Sequence, residues 1–232
     1  MMKDLLEPLL FPHNLLLLGL LAACIGYRKK GLWLLLAFYY LAGNTWLANQ
    51  VRHWYSGYVA TYAITADSTT LLLGCGGSAS TLPACAKARI DTLAGLLPER
   101  ASVLISTAHC QPYVEYLLSQ QRQLAVDCFN GGDNTYQEFN SISARGLKPD
   151  YILTSDFHAW RVSQLVKQHG LSSRVIASSS QTLRPVNCSY NCFITVNLSN
   201  FDFYSKLTAE FSSYAVYRLT TGWTDWYQAP TN

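Results

Sequence analysis

Ser155, His158 and Arg161 stand three residues apart and offer a hydroxyl, a titratable imidazole and a permanent cation. Residues at this spacing share one face of a helix, so the three side chains converge on one small region if the stretch is helical. The combination suits an anionic ligand, which the arginine would hold while the imidazole moved a proton. Around these residues, Tyr151 to Gly170 changes period in the middle. Tyr151, Ile152 and Leu153 read as a short buried strand, and Trp160, Val162, Leu165 and Val166 recur at helical spacing up to a Gly170 stop. The junction from Thr154 to His158 is therefore a strand-to-helix turn, where open parallel sheets bind ligands beside the free N–H groups of the next helix. Read alone, the same residues also fit an N-capping Ser or Asp with a solvated arginine.

The elements that must position this turn repeat its rhythm. Thr69 to Leu73 reads as an apolar strand running into Gly74-Cys75-Gly76-Gly77-Ser78, with a helix from Pro83 to Leu97 behind it. A glycine turn after a strand lets backbone N–H groups approach an anion. GCGGSA also fits a loose dinucleotide pattern, but the following strand ends in Ser106-Thr107 where a ribose would need an acid, which disfavours NAD. Further units pair Val103–Ser106 with a helix from Tyr113 to Gln121, Leu124–Cys128 with Thr135–Arg145, and Tyr151–Thr154 with His158–His169. Arg174–Ala177 and Phe193–Leu198 read as further strands, and Phe201–Tyr217 as a closing helix before Gly222. Strands alternating with helices imply an α/β domain with a mainly parallel sheet. One sheet edge then collects the glycine turn (Gly74, Gly76, Gly77), Ser106, Asn134 and Thr135 ahead of Glu138, and the Ser155, His158 and Arg161 set. Taken singly, Asn134 or Thr135 is an N-cap with Glu138 completing a capping box, and Arg89 and Glu115 could form a surface ion pair.

The chain has 232 residues and a formal charge of +3, an excess that Arg28, Lys29 and Lys30 supply by themselves. Nucleic acid is disfavoured as a partner. Those three residues separate two apolar segments, Leu9 to Tyr27 and Gly31 to Ala48, each about long enough to span a bilayer. The expectation is a transmembrane hairpin over 1–49, a connector over 50–66 and an α/β domain over 67–232, with the basic cluster cytoplasmic and the domain across the membrane. Pro12, His13 and Asn14 weaken the first segment and Asn44 and Thr45 the second, and the alternative is that one of the two lies in the interface. A competing reading takes Leu21-Ala22-Ala23-Cys24 as a lipoprotein processing box, although the positive charges follow the apolar run and do not precede it. Of seven cysteines, six lie in the later region, Cys75, Cys85, Cys110, Cys128, Cys188 and Cys192, an even number that suits disulfides in an oxidising compartment with connectivity left open. The absence of a C-x-x-C argues against zinc, no metal is expected, and no motif names a cofactor.

Leu71-Leu72-Leu73-Gly74-Cys75-Gly76-Gly77, Arg89, Ser106 with Glu115, Asn134-Thr135 with Glu138, and Ser155 with His158 and Arg161 together resemble the bacterial envelope-protein family that includes SanA, ElyC and YdcF. Thr107-Ala108-His109-Cys110 departs from the glycine that the family usually has after its serine. The resemblance covers nearly the whole chain. It implies a Rossmann-like three-layer α/β/α fold, an inner-membrane anchor with a periplasmic domain, and a part in peptidoglycan or polyprenyl-phosphate carrier biogenesis. Two functions follow as expectations. In one, the glycine N–H groups and Arg161 hold a phosphorylated, lipid-linked precursor, while His158 works as general acid or base oriented by Glu115 or Glu138. In the other, the same edge is a non-catalytic binding or scaffold site, consistent with the lack of a nucleophile elbow or Walker lysine.

Overall fold

The structure, a computed structural model, describes residues 10–57, 62–98, 101–120, 124–187 and 190–227. Expectations that fall on Leu9, Gln121 and Cys188 lie outside the described residues. Contacts divide the chain into two units, one of residues 1–55 with 182–212 and one of residues 56–181 with 213–232.

The second unit is a five-stranded parallel sheet. Its elements in chain order are β1 (Thr69–Leu73), α4 (Ala84–Ala94), β2 (Ser102–Ser106), α5 (Cys110–Gln120), β3 (Ala125–Phe129), α6 (Thr135–Ala144), β4 (Tyr151–Ser155), a 3-10 turn (Asp156–His158), α7 (Ala159–Gln168) and β5 (Arg174–Ser178). Strand order is β3-β2-β1-β4-β5, so the chain works outward in one direction and then restarts beside β1. The switch between β1 and β4 is where an open sheet of this kind leaves a crevice at its carboxyl edge. Alternate residues of β1 show why its run is wholly apolar. Leu72 packs with Ile90, Leu93, Tyr113 and Leu117 of α4 and α5, whereas Leu71 and Leu73 pack with Phe139, Ile142, Val162 and Leu165 of α6 and α7. Both sheet faces are covered, giving the three layers of a Rossmann-like fold. Phe193 to Leu198, expected as a strand, is a 3-10 turn (Tyr190–Phe193) and a single bridge from Val196, followed by helix α8 (Leu198–Tyr227). That helix runs on past Gly222, because an isolated glycine does not by itself end a helix.

The first unit holds α1 (Pro12–Tyr27), α2 (Lys30–Gly43) and α3 (Thr45–Ser56). Arg28 turns the hairpin in a left-handed conformation, φ 50°. The expected second span ends early, because Asn44 adopts extended backbone and its Oδ1 accepts the Leu47 N–H at 2.9 Å, capping α3. Helices α1 and α2 have 16 and 14 residues, and among the described residues no helix is long and apolar enough to cross a membrane. A transmembrane hairpin is thus not seen at the expected lengths. The asparagines that weaken the apolar pattern have partners far along the chain. Asn14 accepts the Val196 N–H at 2.7 Å, and Asn44 Nδ2 donates to the carbonyls of Cys192 and Phe193. Asn200 donates to the Gly43 carbonyl and accepts from Arg52, whose guanidinium lies 4.4 Å from the Phe203 ring.

Disulfides join Cys75 to Cys85 and Cys110 to Cys128, and Cys192 is also disulfide-bonded. Cys24 is a free thiol buried in α1.

Candidate functional site

At the carboxyl edge of the sheet, a pocket of about 440 Å³ opens between the ends of β1, β2 and β4 and the starts of α6 and α7. Ten of the twelve residues singled out from the sequence line it: Gly74, Gly76, Gly77, Arg89, Ser106, Asn134, Thr135, Glu138, His158 and Arg161. Ser155 and Glu115 do not.

The glycine turn is built by close approach. A side chain on Gly74 would run into the Ser106 carbonyl, and Gly77 has φ +118°, a conformation closed to ordinary residues. The N–H groups of Gly76 and Gly77 meet no acceptor among the described residues. Tyr113 fixes the turn from below, its hydroxyl accepting the Cys75 N–H and donating to the Gly76 carbonyl, each at 2.9 Å. The Cys75–Cys85 disulfide ties the same turn to the start of α4.

Arg89 is a structural cation. Buried under the pocket, it donates Nη1 to the carbonyls of Leu73 and Gly74 at 2.8 and 2.6 Å and Nε to Ser155 Oγ at 3.0 Å. Burial pulls its pKa down, and Glu138 and Tyr113 oppose that shift. Ser155 therefore positions Arg89 and does not face the ligand space. Arg161 is the outer cation. Half-buried, it donates Nη2 to His158 Nδ1 at 3.3 Å, and since a guanidinium cannot accept, this contact assigns the ring proton of His158 to Nε2. Its guanidinium lies 6.0 Å from the Tyr136 ring, which stacks on Tyr217 at 3.9 Å.

Glu138 departs from the expected capping box. Asn134 does cap α6, accepting from Tyr136 and Gln137, but it is Gln137 that reaches back, to the Asp133 N–H at 2.7 Å. Glu138, one residue on, turns inward, where its Oε1 accepts from Ser106 Oγ at 2.9 Å and from the Gly74 N–H at 3.3 Å. Burial raises its pKa above the usual carboxylate range, against the pull of Ser106, Gly74, Arg89 and Arg161. Gly131 is required at this contact, since a Cβ there would strike Ser106 Oγ and crowd Glu138.

Glu115 lies elsewhere. Tyr113 and Leu117 face the core from α5, so the residue between them falls on the opposite side of the helix, exposed, where its carboxylate takes a bond from Gln111 at 2.7 Å. It does not orient His158. Sequence reasoning passed over Tyr113, Asp156 and His109. The carboxylate of buried Asp156 accepts from the N–H groups of Phe157 and Ser180, tying the His158 turn to the loop after β5. His109 lines the pocket on the loop that leads into α5, held by the Cys110–Cys128 disulfide. An acid right after a strand and a histidine beside a cysteine at a helix start were the available signals. Among the described residues no group of three or more His, Cys, Asp or Glu side chains is arranged to hold a metal ion.

Compared with known protein families, with curated proteins and with solved structures, the chain matches none.

Proposed function

We propose that this protein is a membrane-anchored cell-envelope protein whose α/β domain binds a phosphorylated, anionic precursor at the carboxyl edge of its sheet and processes it there. The observation that carries this reading is the composition of the pocket: two glycine N–H donors, the Arg161 guanidinium and the His158 imidazole line one cavity of about 440 Å³. Glycine N–H groups and a guanidinium are donors that do not depend on pH, and together they match a phosphoryl group's several acceptor oxygens. Arg89 and Arg161 line the cavity together with Asp133 and with Glu138, whose pKa burial raises. His158 would be the proton carrier. The resemblance to the SanA, ElyC and YdcF proteins favours a lipid-linked phosphate of the envelope and an inner-membrane location with the domain periplasmic. Disulfides in the domain agree with an oxidising compartment. The exposed apolar hairpin would supply the anchor.

One feature favours binding without turnover. Glu138, the buried carboxylate, spends its bonds on Ser106 and Gly74 and not on His158. Turnover of a radiolabelled polyprenyl-phosphate precursor by the detergent-purified full chain separates the two readings. Processing predicts product that His158→Ala abolishes with binding retained. A scaffold predicts binding and no product from either protein. In both readings Arg161→Ala weakens binding by roughly ten- to a hundredfold, the worth of a charge-assisted bond, and Arg161→Lys rescues poorly for want of the planar fork. Unchanged binding by both arginine variants would remove the site.

A further inference from the structure

The first unit carries a feature that the pocket does not need. Residues 191–197 run as the end of a 3-10 turn and a single bridge at Val196 against the two apolar helices, and several of their backbone groups find partners there. The carbonyls of Cys192 and Phe193 accept from Asn44 Nδ2, and the Phe193 carbonyl also accepts from the Tyr40 hydroxyl. The N–H groups of Ile194 and Thr195 donate to the Asn191 carbonyl, that of Val196 to Asn14 Oδ1, and that of Asn197 to the Gly43 carbonyl. Such bonds are needed wherever backbone is buried from solvent, as it is at Cys192, Thr195 and Val196. In hydrocarbon they matter more, because irregular backbone is tolerated at that depth only where protein supplies partners. The side chains run the opposite way. Phe193 and Ile194 are 53% and 46% exposed and share their surface with Trp46, whose ring lies 5.4 Å from that of Phe193. They also form one wall of an apolar groove of about 580 Å³ whose other wall comes from Leu17, Leu21, Trp33 and Leu36 of the hairpin.

We propose that residues 191–197 form a wedge seated inside the hydrocarbon of a lipid bilayer, with Phe193, Ile194 and Trp46 against acyl chains and an acyl chain in the groove. The inference rests on the hairpin being the membrane anchor. Exposed Arg28, Lys29 and Lys30 at the hairpin tip complement anionic headgroups and set one level. The 14 residues of α2 rise about 21 Å from there, less than the roughly 30 Å of a hydrocarbon core. Asn44 and the wedge it holds are then still below the far interface. The wedge completes the embedded layer where helices too short to cross leave off.

The test is tryptophan quenching of the full chain reconstituted in phosphatidylglycerol and phosphatidylethanolamine vesicles whose acyl chains carry bromine near their middle, compared with unbrominated vesicles. Trp33 reports the hairpin and Trp46 the wedge. The proposal expects Trp33→Phe and Trp46→Phe each to remove part of the brominated-lipid quenching. Ile194→Trp is expected to add a quenched component, which gives the same readout should Trp46→Phe fail to fold. Loss of quenching with Trp33→Phe alone, with no gain from Ile194→Trp, would put the wedge in water and overturn the inference while leaving the hairpin in lipid. No quenching of any tryptophan would overturn the membrane reading and the wedge with it.

Discussion

Both units bury polar groups, and what those groups face separates them. In the helical unit, Asn14, Asn44, Asn200 and Arg52 spend their bonds on backbone carbonyls, N–H groups and one another, and the surface outside them is apolar. At the sheet edge, Arg89, Ser106 and Glu138 form an equally buried layer, but it underlies a cavity whose rim still presents glycine N–H groups, two imidazoles and a second guanidinium. A buried polar network that ends in backbone is architecture. One that ends in an opening is support for a ligand, and the difference is visible only when every partner is followed to its end.

The comparison breaks most visibly at Arg89. Its three acceptors are the carbonyls of Leu73 and Gly74 and the hydroxyl of Ser155, so Arg89→Ala is expected to cost about 3–5 kcal/mol and lower the melting temperature by roughly 10 °C, while Arg161→Ala leaves it within about 2 °C. Paired thermal melts of the two variants check this. Equal melting temperatures would mean that the inner and outer arginines are not of different kinds.

That distinction was only half legible in the sequence. Strand and helix alternation was plain, because strands covered on both faces read as short apolar runs between glycine-ended helices. The edge that collects Gly76, Asn134, His158 and Arg161 follows from that order alone. Which arginine is inside does not, because the partners of Arg89 lie up to 66 residues away. Asn14 and Asn44 read as flaws in apolar segments for the same reason, their partners standing 182 and 148 residues on. Tyr113 looked like ordinary core on its helix, and only the glycine turn above it shows what its hydroxyl is for.

A smaller effect is expected in the helical unit. Asn44→Ala removes one cap and leaves the carbonyls of Cys192 and Phe193 short of a donor, a loss of about 1–3 kcal/mol. The size depends on what surrounds them. In detergent micelles and in vesicles the loss should sit at the upper end, and a variant as stable as the parent in both would show that the asparagine is ornamental to the wedge.

Glu138 sharpens the comparison through pH. Its pKa is raised by burial, so the folded protein binds this proton more tightly than the unfolded chain does, and stability falls as pH rises from the ordinary carboxylate range through the raised value. Glu138→Gln cannot ionise and lacks this slope. Denaturant melts of the two proteins from pH 4 to pH 8 are expected to show the variant gaining on the parent as pH rises. A constant difference across that range would mean that Ser106, Gly74 and the two arginines hold the carboxylate charged after all.

The smallest effect belongs to Glu115, and it tests the boundary of the site. Sequence alone offers Glu115 or Glu138 as the group that orients His158. The helix rotates Glu115 away: Tyr113 and Leu117 take the inward face, and the exposed carboxylate holds only the Gln111 amide one turn back. A solvent-exposed pair of this kind contributes at most about 0.5 kcal/mol, so Glu115→Ala should melt within about 1–2 °C of the parent. Phosphate-ligand binding, read by calorimetry on the same samples, should be unchanged. Should Glu115→Ala weaken binding tenfold with its melting temperature intact, the pocket would have to reach across α5, and the line drawn here between supporting and ligand-facing groups would move with it.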